Sequence, residues 1–142
     1  ERQARGQQKS LLDGVTLGLP ALSRAEKLQK RAARGGFDWP EIAPVFEKIH
    51  EEIEEVRNEL AGDDHQALHD EVGDLLFACV NLARHAGVDP EQALRSANGK
   101  FVHRFQHVEQ RLAEQGSSLE QANLERMDAL WNEAKEKEKQ KG

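Results

Sequence analysis

The apolar residues of this chain recur at helical intervals, with no run that alternates as in a β-strand. In the first half of the chain, apolar residues follow one another in alternating steps of four and three: Ile42, Phe46, Ile49, Ile53, Val56 and Leu60. This spacing places them on one face of an α-helix. A second seam consists of Leu94, Ala97, Phe101, Phe105, Val108 and Leu112. The pattern therefore predicts an all-α fold.

Proline, glycine and capping residues divide the chain into about five predicted helices. Pro20 is placed to begin the first helix, Asp64 to cap the third, and Asp89 and Pro90 to cap and begin the fourth. Ser118 is the expected cap of the fifth. The predicted spans are 20–34, 40–61, 65–86, a fourth from 90, and 119–137. We expect an N-terminal arm over 1–19, one helical domain over 20–137, and a charged, frayed tail over 138–142.

The composition limits the assembly and the partners of the chain. Only 37% of the 142 residues are hydrophobic and 5% are aromatic, which is lean for a monomer, so we expect long amphipathic helices that complete their burial against a partner chain. The net charge of −6 argues against nucleic acid as a partner. No segment suits a membrane span or a signal peptide, and Cys79 stands alone in an apolar run, where we expect it in the core. A cytoplasmic location is expected.

Acidic residues are concentrated at two helical sites. Glu52 and Glu55 share a helix face, with Glu51 beside Glu55, and Glu71 and Asp74 share a face of the next helix. If these helices pack antiparallel, four or five carboxylates converge, and they would repel one another unless a cation lay among them. Hard oxygen ligands without Cys or His suit Mg²⁺, with Mn²⁺ as a substitute. The pattern predicts a metal site, and such sites usually hold a phosphorylated substrate.

The setting of the second acidic pair strengthens this prediction. Glu71, Asp74, Ala78 and Asn81 fall in a stripe of roughly 80° on a helix that is otherwise largely apolar. A solvated helix face would be wider and richer in lysine and arginine. Carboxylates enclosed by core residues are costly unless their charge is compensated. Downstream, Lys100 and Arg104 stand four residues apart beside the apolar seam, where they could reach the same cleft.

The acidic pattern resembles the signature of the MazG family of nucleoside triphosphate pyrophosphohydrolases. Further segments resemble that family in the same order along the chain: Leu19-Pro20-Ala21-Leu22, Gly35-Gly36-Phe37-Asp38-Trp39, Glu71-Val72-Gly73-Asp74-Leu75-Leu76-Phe77, Ala97-Asn98-Gly99-Lys100-Phe101 with Arg104-Phe105, and Leu130-Trp131. The resemblance is greatest to the C-terminal catalytic domain of a two-domain member, in agreement with the first residue, which is Glu rather than Met. Gly99 departs from the family, in which a larger residue is common.

The resemblance implies an all-α enzyme with a four-helix-bundle-type core completed in a homodimer. Such an enzyme cleaves nucleoside triphosphates, ribo or deoxy, between the α- and β-phosphates with Mg²⁺. The products would be the nucleoside monophosphate and pyrophosphate. Glu52, Glu55, Glu71 and Asp74 would bind the metal, and Glu51 would hold or activate the attacking water. Asn98, Lys100 and Arg104 would contact the triphosphate, and Trp131 would lie near the nucleotide.

Two other functions are compatible with parts of the pattern. A di-iron carboxylate bundle requires Glu-x-x-His twice, and only Glu47-x-x-His50 occurs, on the opposite side of its helix from Glu52. His103 and His107 have metal-ligand spacing but no third ligand, so we expect them at the surface. A non-enzymatic helical interaction module would require only the two apolar seams. The base and sugar preference of an enzyme, and its substrate in the cell, stay open.

Overall fold

The computed structural model describes residues 10–141, and the prediction of an all-α fold is confirmed for them. They form five α-helices and no strand: α1 (Ala21–Arg34), α2 (Ala43–Leu60), α3 (His65–His85), α4 (Pro90–Glu114) and α5 (Leu124–Lys141). The predicted caps of α3 and α4 are confirmed. The Asp64 carboxylate accepts from the Ala67 N–H at 3.0 Å, and that of Asp89 accepts from the Glu91 N–H at 3.0 Å.

The helices form two compact units, the first ending at Ala93 and the second beginning at Leu94. In the first unit, α2 packs chiefly against α3, and α1 also packs on α3. Val45 of α2 and Val80 of α3 are buried there. In the second unit, Val108 and Leu112 of α4 pack with Leu130 of α5 in a small hydrophobic core.

Two predicted helix starts were wrong, those of α2 and α5. Helix α2 begins at Ala43 rather than at residue 40, which places Pro44 in the first turn, where its missing N–H costs no hydrogen bond. Helix α5 begins at Leu124 rather than at 119. Ser118 accepts from the Gln121 N–H in a short turn, whereas Asn123 accepts from the Arg126 N–H at 2.8 Å and caps the helix.

The arm and the tail also differ from the sequence-based description. Residues 1–9 lie outside the described part of the chain, and Ser10 to Asp13 form a hydrogen-bonded turn rather than an extended segment. Helix α5 continues through the predicted frayed tail to Lys141. None of the helices in residues 10–141 is long and apolar enough to cross a membrane.

Several predicted core positions are exposed to solvent. Cys79 is exposed, although we expected it in the core. On α3 only Ala78 and Val80 are buried, and Val72, Leu76 and Phe77 are 39%, 55% and 46% exposed. Asp74 is itself exposed, so the expected enclosure by core residues is not found among residues 10–141. His107 is the reverse case: its ring is 16% exposed and lies 2.7 Å from Glu133, so it is not a surface residue.

Candidate metal centre and adjoining cleft

Three carboxylates of the first unit converge between α2 and α3. Glu52 lies on α2, and Glu71 and Asp74 lie three residues apart on one face of α3. One oxygen atom of each side chain lies within 4.8 Å of those of the other two. The packing of α2 on α3 therefore brings together three of the four acidic residues that we predicted as metal ligands.

Glu52 is the most buried member of this carboxylate cluster. It is 6% exposed, and its Oε1 lies 3.1 Å from Nζ of Lys48, one helical turn earlier. Its Oε2 is buried and has no hydrogen-bond partner among the described residues. A buried carboxylate oxygen without a partner is costly, so this atom favours a bound cation.

The electrostatics of Glu71 also favour a cation. Burial raises the pKa of the Glu71 carboxyl, and the neighbouring charges of Glu52, Asp74 and Glu55 raise it further. A divalent ion in the cluster would favour the charged form of the same carboxyl. All three donors are hard carboxylate oxygens, which suit Mg²⁺ or Mn²⁺. The residues present therefore fit the predicted metal.

The other two acidic residues of the prediction lie outside the cluster. Glu55 is exposed and is not part of the group of three, although its charge acts on Glu71. Glu51 is also exposed, and its Oε1 lies 3.3 Å from Nζ of Lys48. Lys48 thus contacts both Glu51 and Glu52, and hydrogen bonds to the two carboxylates raise the pKa of its ammonium group.

The carboxylate cluster adjoins a cleft of about 690 Å³ within the first unit, here called the α1–α3 cleft. Glu52, Asp74 and Lys48 form part of its lining. Much of the remaining wall is apolar or aromatic: Leu12, Leu28, Ala32, Gly36, Phe37, Trp39, Phe77 and Ala78. Its other polar members are the amides Gln29 and Asn81 and the charged pair Asp38 and Arg84. A mostly apolar cleft with a few polar groups is typical of a small-molecule site.

An ion-pair network attaches the loop that carries Phe37 and Trp39 to the last turn of α3. The Arg84 guanidinium donates to both oxygens of Asp38, at 2.7 and 3.0 Å, and His85 Nε2 lies 2.9 Å from Asp38 Oδ1. The hydrogen bond from Arg84 is the largest cause that holds the pKa of Asp38 well below its usual range. Asp38 also accepts from the Trp39 N–H at 2.8 Å, so one carboxylate fixes the loop.

The predicted triphosphate contacts lie in the second unit. Arg104 forms a bidentate ion pair with Glu138, at 2.8 Å from Nη2 to Oε1, and lies 5.7 Å from the centroid of the Trp131 ring. Asn98 and Lys100 are exposed on the N-terminal half of α4, which continues through Gly99. Trp131 packs against Phe101, with ring centroids 5.2 Å apart, and against the hydrophobic core.

Sequence reasoning missed four residues of the first unit that bear on the site. Lys48 could have been found from its spacing, since it precedes Glu51 by three residues and Glu52 by four. Gln29 and Arg84 gave no usable signal, and Asp38 appeared only within a segment that resembles the family, without an assigned role. Their contacts join residues between 46 and 48 positions apart, and no helical spacing indicates such pairs.

These features define a class of protein: an all-α domain with a carboxylate cluster that could hold a metal ion, beside a mostly apolar cleft. Residues 43–109 match the family model described as the MazG nucleotide pyrophosphohydrolase domain. The resemblance found in the sequence is thereby confirmed, and residues 43–109 match the MazG family.

Curated relatives extend the match over nearly the whole chain. The chain is 47% identical over 140 residues to the nucleoside triphosphate pyrophosphohydrolase of Escherichia coli K12, covering 97% of the chain and 53% of the relative. It is 42% identical over 134 residues to the nucleoside triphosphate pyrophosphohydrolase/pyrophosphatase MazG of Thermotoga maritima, covering 94% of the chain and 51% of the relative. A third relative, the uncharacterized protein YabN of Bacillus subtilis, is 48% identical over 133 residues, which are 93% of the chain and 27% of YabN. The chain thus spans about half the length of the first two relatives.

Proposed function

We propose that this chain hydrolyses nucleoside triphosphates between the α- and β-phosphates, giving the nucleoside monophosphate and pyrophosphate. The observation that carries the proposal is the cluster of Glu52, Glu71 and Asp74 beside the α1–α3 cleft. The printed names of the E. coli and T. maritima relatives support the same activity.

Glu52, Glu71 and Asp74 would hold Mg²⁺ in this proposal, with Glu55 as a further ligand. The bound ion would neutralise the polyphosphate and lower the pKa of a water molecule. The unpartnered Oε2 of Glu52 and the raised pKa of the Glu71 carboxyl support these two residues as ligands. Glu55 is supported by its electrostatic effect on Glu71.

Glu51 is proposed to orient the attacking water and to accept its proton. Its carboxylate lies on the same helix as Glu52, and both contact Lys48. Lys48 balances part of the negative charge of the cluster through its contact with Glu52.

In the second unit, we propose that Lys100 and Arg104 bind triphosphate oxygens, with Asn98 as a further contact and Trp131 beside the nucleotide. Arginine binds phosphate through two parallel hydrogen bonds, as Arg104 binds the carboxylate of Glu138. The exposed Lys100 ammonium would act as a point charge on the departing pyrophosphate.

The homodimer stays a prediction, and the structure offers support for it. Phe46 of α2 is 47% exposed and Leu76 of α3 is 55% exposed, and a second copy could bury both. Light scattering coupled to size-exclusion chromatography measures the assembly directly.

A panel of nucleoside triphosphates with Mg²⁺, analysed for products, tests the proposed activity. Equal amounts of monophosphate and pyrophosphate are expected, whereas stepwise phosphate release would refute it. Glu55→Gln and Asp74→Asn should each lower kcat by about 100-fold or more without unfolding the protein. Glu54→Gln is the matched control, because Glu54 is exposed on α2 and pairs with Arg57.

A further inference from the structure

The side-chain amide of Gln29 is buried in the wall of the α1–α3 cleft, and one of its two polar ends is unpaired. Gln29 is 8% exposed, and its Nε2 donates to the backbone carbonyl of Phe77 at 3.0 Å. That bond fixes the orientation of the amide, because only the nitrogen end can donate. Oε1 is buried and accepts no hydrogen bond from any residue between 10 and 141.

An acceptor in this position suits a ligand that brings a donor. A buried carbonyl oxygen without a partner lowers stability, so it is more often found where function requires it. Much of the cleft wall is apolar or aromatic, including Trp39 and Phe77. The side-chain oxygens of Asp38 and Asn81, which also line the cleft, already accept hydrogen bonds from Arg84. A flat, apolar group with an N–H at its edge could pack against the aromatic walls and donate a hydrogen bond to the amide oxygen.

The carboxylate cluster adds a second requirement, since Glu52 and Asp74 line the same cleft. A ligand of this cleft would therefore combine a metal-binding, anionic part with a flat ring that donates a hydrogen bond. Nucleotides have this combination, and each of the four ordinary bases carries an N–H on its Watson–Crick edge. An aliphatic phosphate ester would leave Gln29 Oε1 unpaired.

We propose that Gln29 Oε1 accepts a hydrogen bond from a Watson–Crick-edge N–H of the substrate base, which makes Gln29 a specificity-determining residue. This inference rests on the proposed function, because it places a nucleotide in the α1–α3 cleft. It goes further in naming the chemical feature that the cleft selects, which is a donor on the base rather than a particular base.

The test compares ATP with purine riboside triphosphate, which lacks the 6-amino group and has no N–H on that edge. For the wild-type protein, kcat/KM should be about 10-fold or more higher for ATP, because the analogue leaves the buried oxygen unpaired. Gln29→Met keeps a similar volume and removes the acceptor. The ratio of kcat/KM for ATP to kcat/KM for the analogue should therefore fall toward one. The matched control is Gln66→Met, at an exposed glutamine of α3, which should leave the ratio unchanged.

Two results would overturn the inference. One is a wild-type ratio near one, which needs no variant and so does not depend on the folding of Gln29→Met. The other is a Gln29→Met protein that turns over both nucleotides more slowly by the same factor, as a purely structural role predicts. Titration of the two nucleotides, followed by tryptophan fluorescence, separates this inference from the proposed function. Tighter binding of ATP without turnover would support the base contact and reject the hydrolase, and equal binding would reject the contact.

Discussion

Replacing Glu52 with glutamine should have opposite effects on stability with and without Mg²⁺. In the metal-free protein, Glu52 contributes one of three crowded negative charges, and its Oε2 has no partner among residues 10–141. Glutamine keeps the shape, removes the charge and supplies an N–H donor for the neighbouring carboxylates. With Mg²⁺ present, the same change removes a ligand.

The distances set the expected size of the effect. Repulsion between two carboxylates 4.8 Å apart, the upper limit for Glu52 and Asp74, is ~1 kcal/mol at the dielectric constant of water and ~3 kcal/mol at an effective value of 20. Loss of the ion pair with the half-exposed Lys48 offsets this by up to ~1 kcal/mol. Metal-free Glu52→Gln should therefore be more stable by ~1 kcal/mol, which raises Tm by about 3 °C.

Mg²⁺ should reverse the order of thermal stability of the wild-type protein and Glu52→Gln. At a Mg²⁺ concentration 100 times Kd, the wild-type protein gains ~2.7 kcal/mol, or about 8 °C in Tm. Glu52→Gln should gain far less, and the wild-type protein should then melt at the higher temperature. Scanning calorimetry in a chelator and across a Mg²⁺ titration measures both effects, with Glu54→Gln as the control on the exposed face of α2. A Glu52→Gln protein that is less stable in chelator yet keeps the full Mg²⁺ gain would refute the reasoning.

Two further predictions follow from ion pairs outside the carboxylate cluster. Glu138→Gln releases the Arg104 guanidinium from its partner at 2.8 Å. The KM for a nucleoside triphosphate should then fall by about 3- to 10-fold in steady-state kinetics. An unchanged KM would contradict the proposed phosphate contact. Asp38→Asn should cost ~2 kcal/mol at pH 7 in urea denaturation, because it removes the charged partner of Arg84. Since folding lowers the pKa of Asp38, its contribution is present above the unfolded value near 4 and is lost as pH falls further, so the difference between the two proteins should shrink below about pH 4. A difference that stays constant down to pH 3 would contradict this.

The fold was largely predictable because its signals are local. Helical spacing, the capping carboxylate of Asp64 and the Asp89-Pro90 pair depend on neighbours within one turn, and they gave α1, α3 and the start of α4 to within about one residue. Helix α5 shows the limit of such signals. Ser118 and Asn123 are both good caps, and the choice between them depends on the packing of Leu119 and Ala122 against the core of the second unit.

The candidate site was predictable only in part. Glu71 and Asp74 are three residues apart, so one helix fixes their proximity, and a single assumption about antiparallel packing added Glu52. The contact of the Gln29 amide and the Asp38–Arg84 ion pair could not be predicted from helical spacing. Each depends on how α1 and the loop after it pack against α3. Burial was the weakest part of the prediction, as the exposed Cys79 shows, because apolar composition alone does not say which faces one chain covers.

Lys48 supplies the carboxylate cluster with a positive charge that does not depend on a bound ion. Its ammonium group, held 3.1 Å from Glu52 and 3.3 Å from Glu51, is covalently tethered and cannot be removed by a chelator. Dialysis against EDTA should therefore yield a folded protein that can be reloaded, rather than an aggregate. For work at the bench, this makes reconstitution with Mn²⁺ as a spectroscopic reporter a practical route to the occupancy of the site.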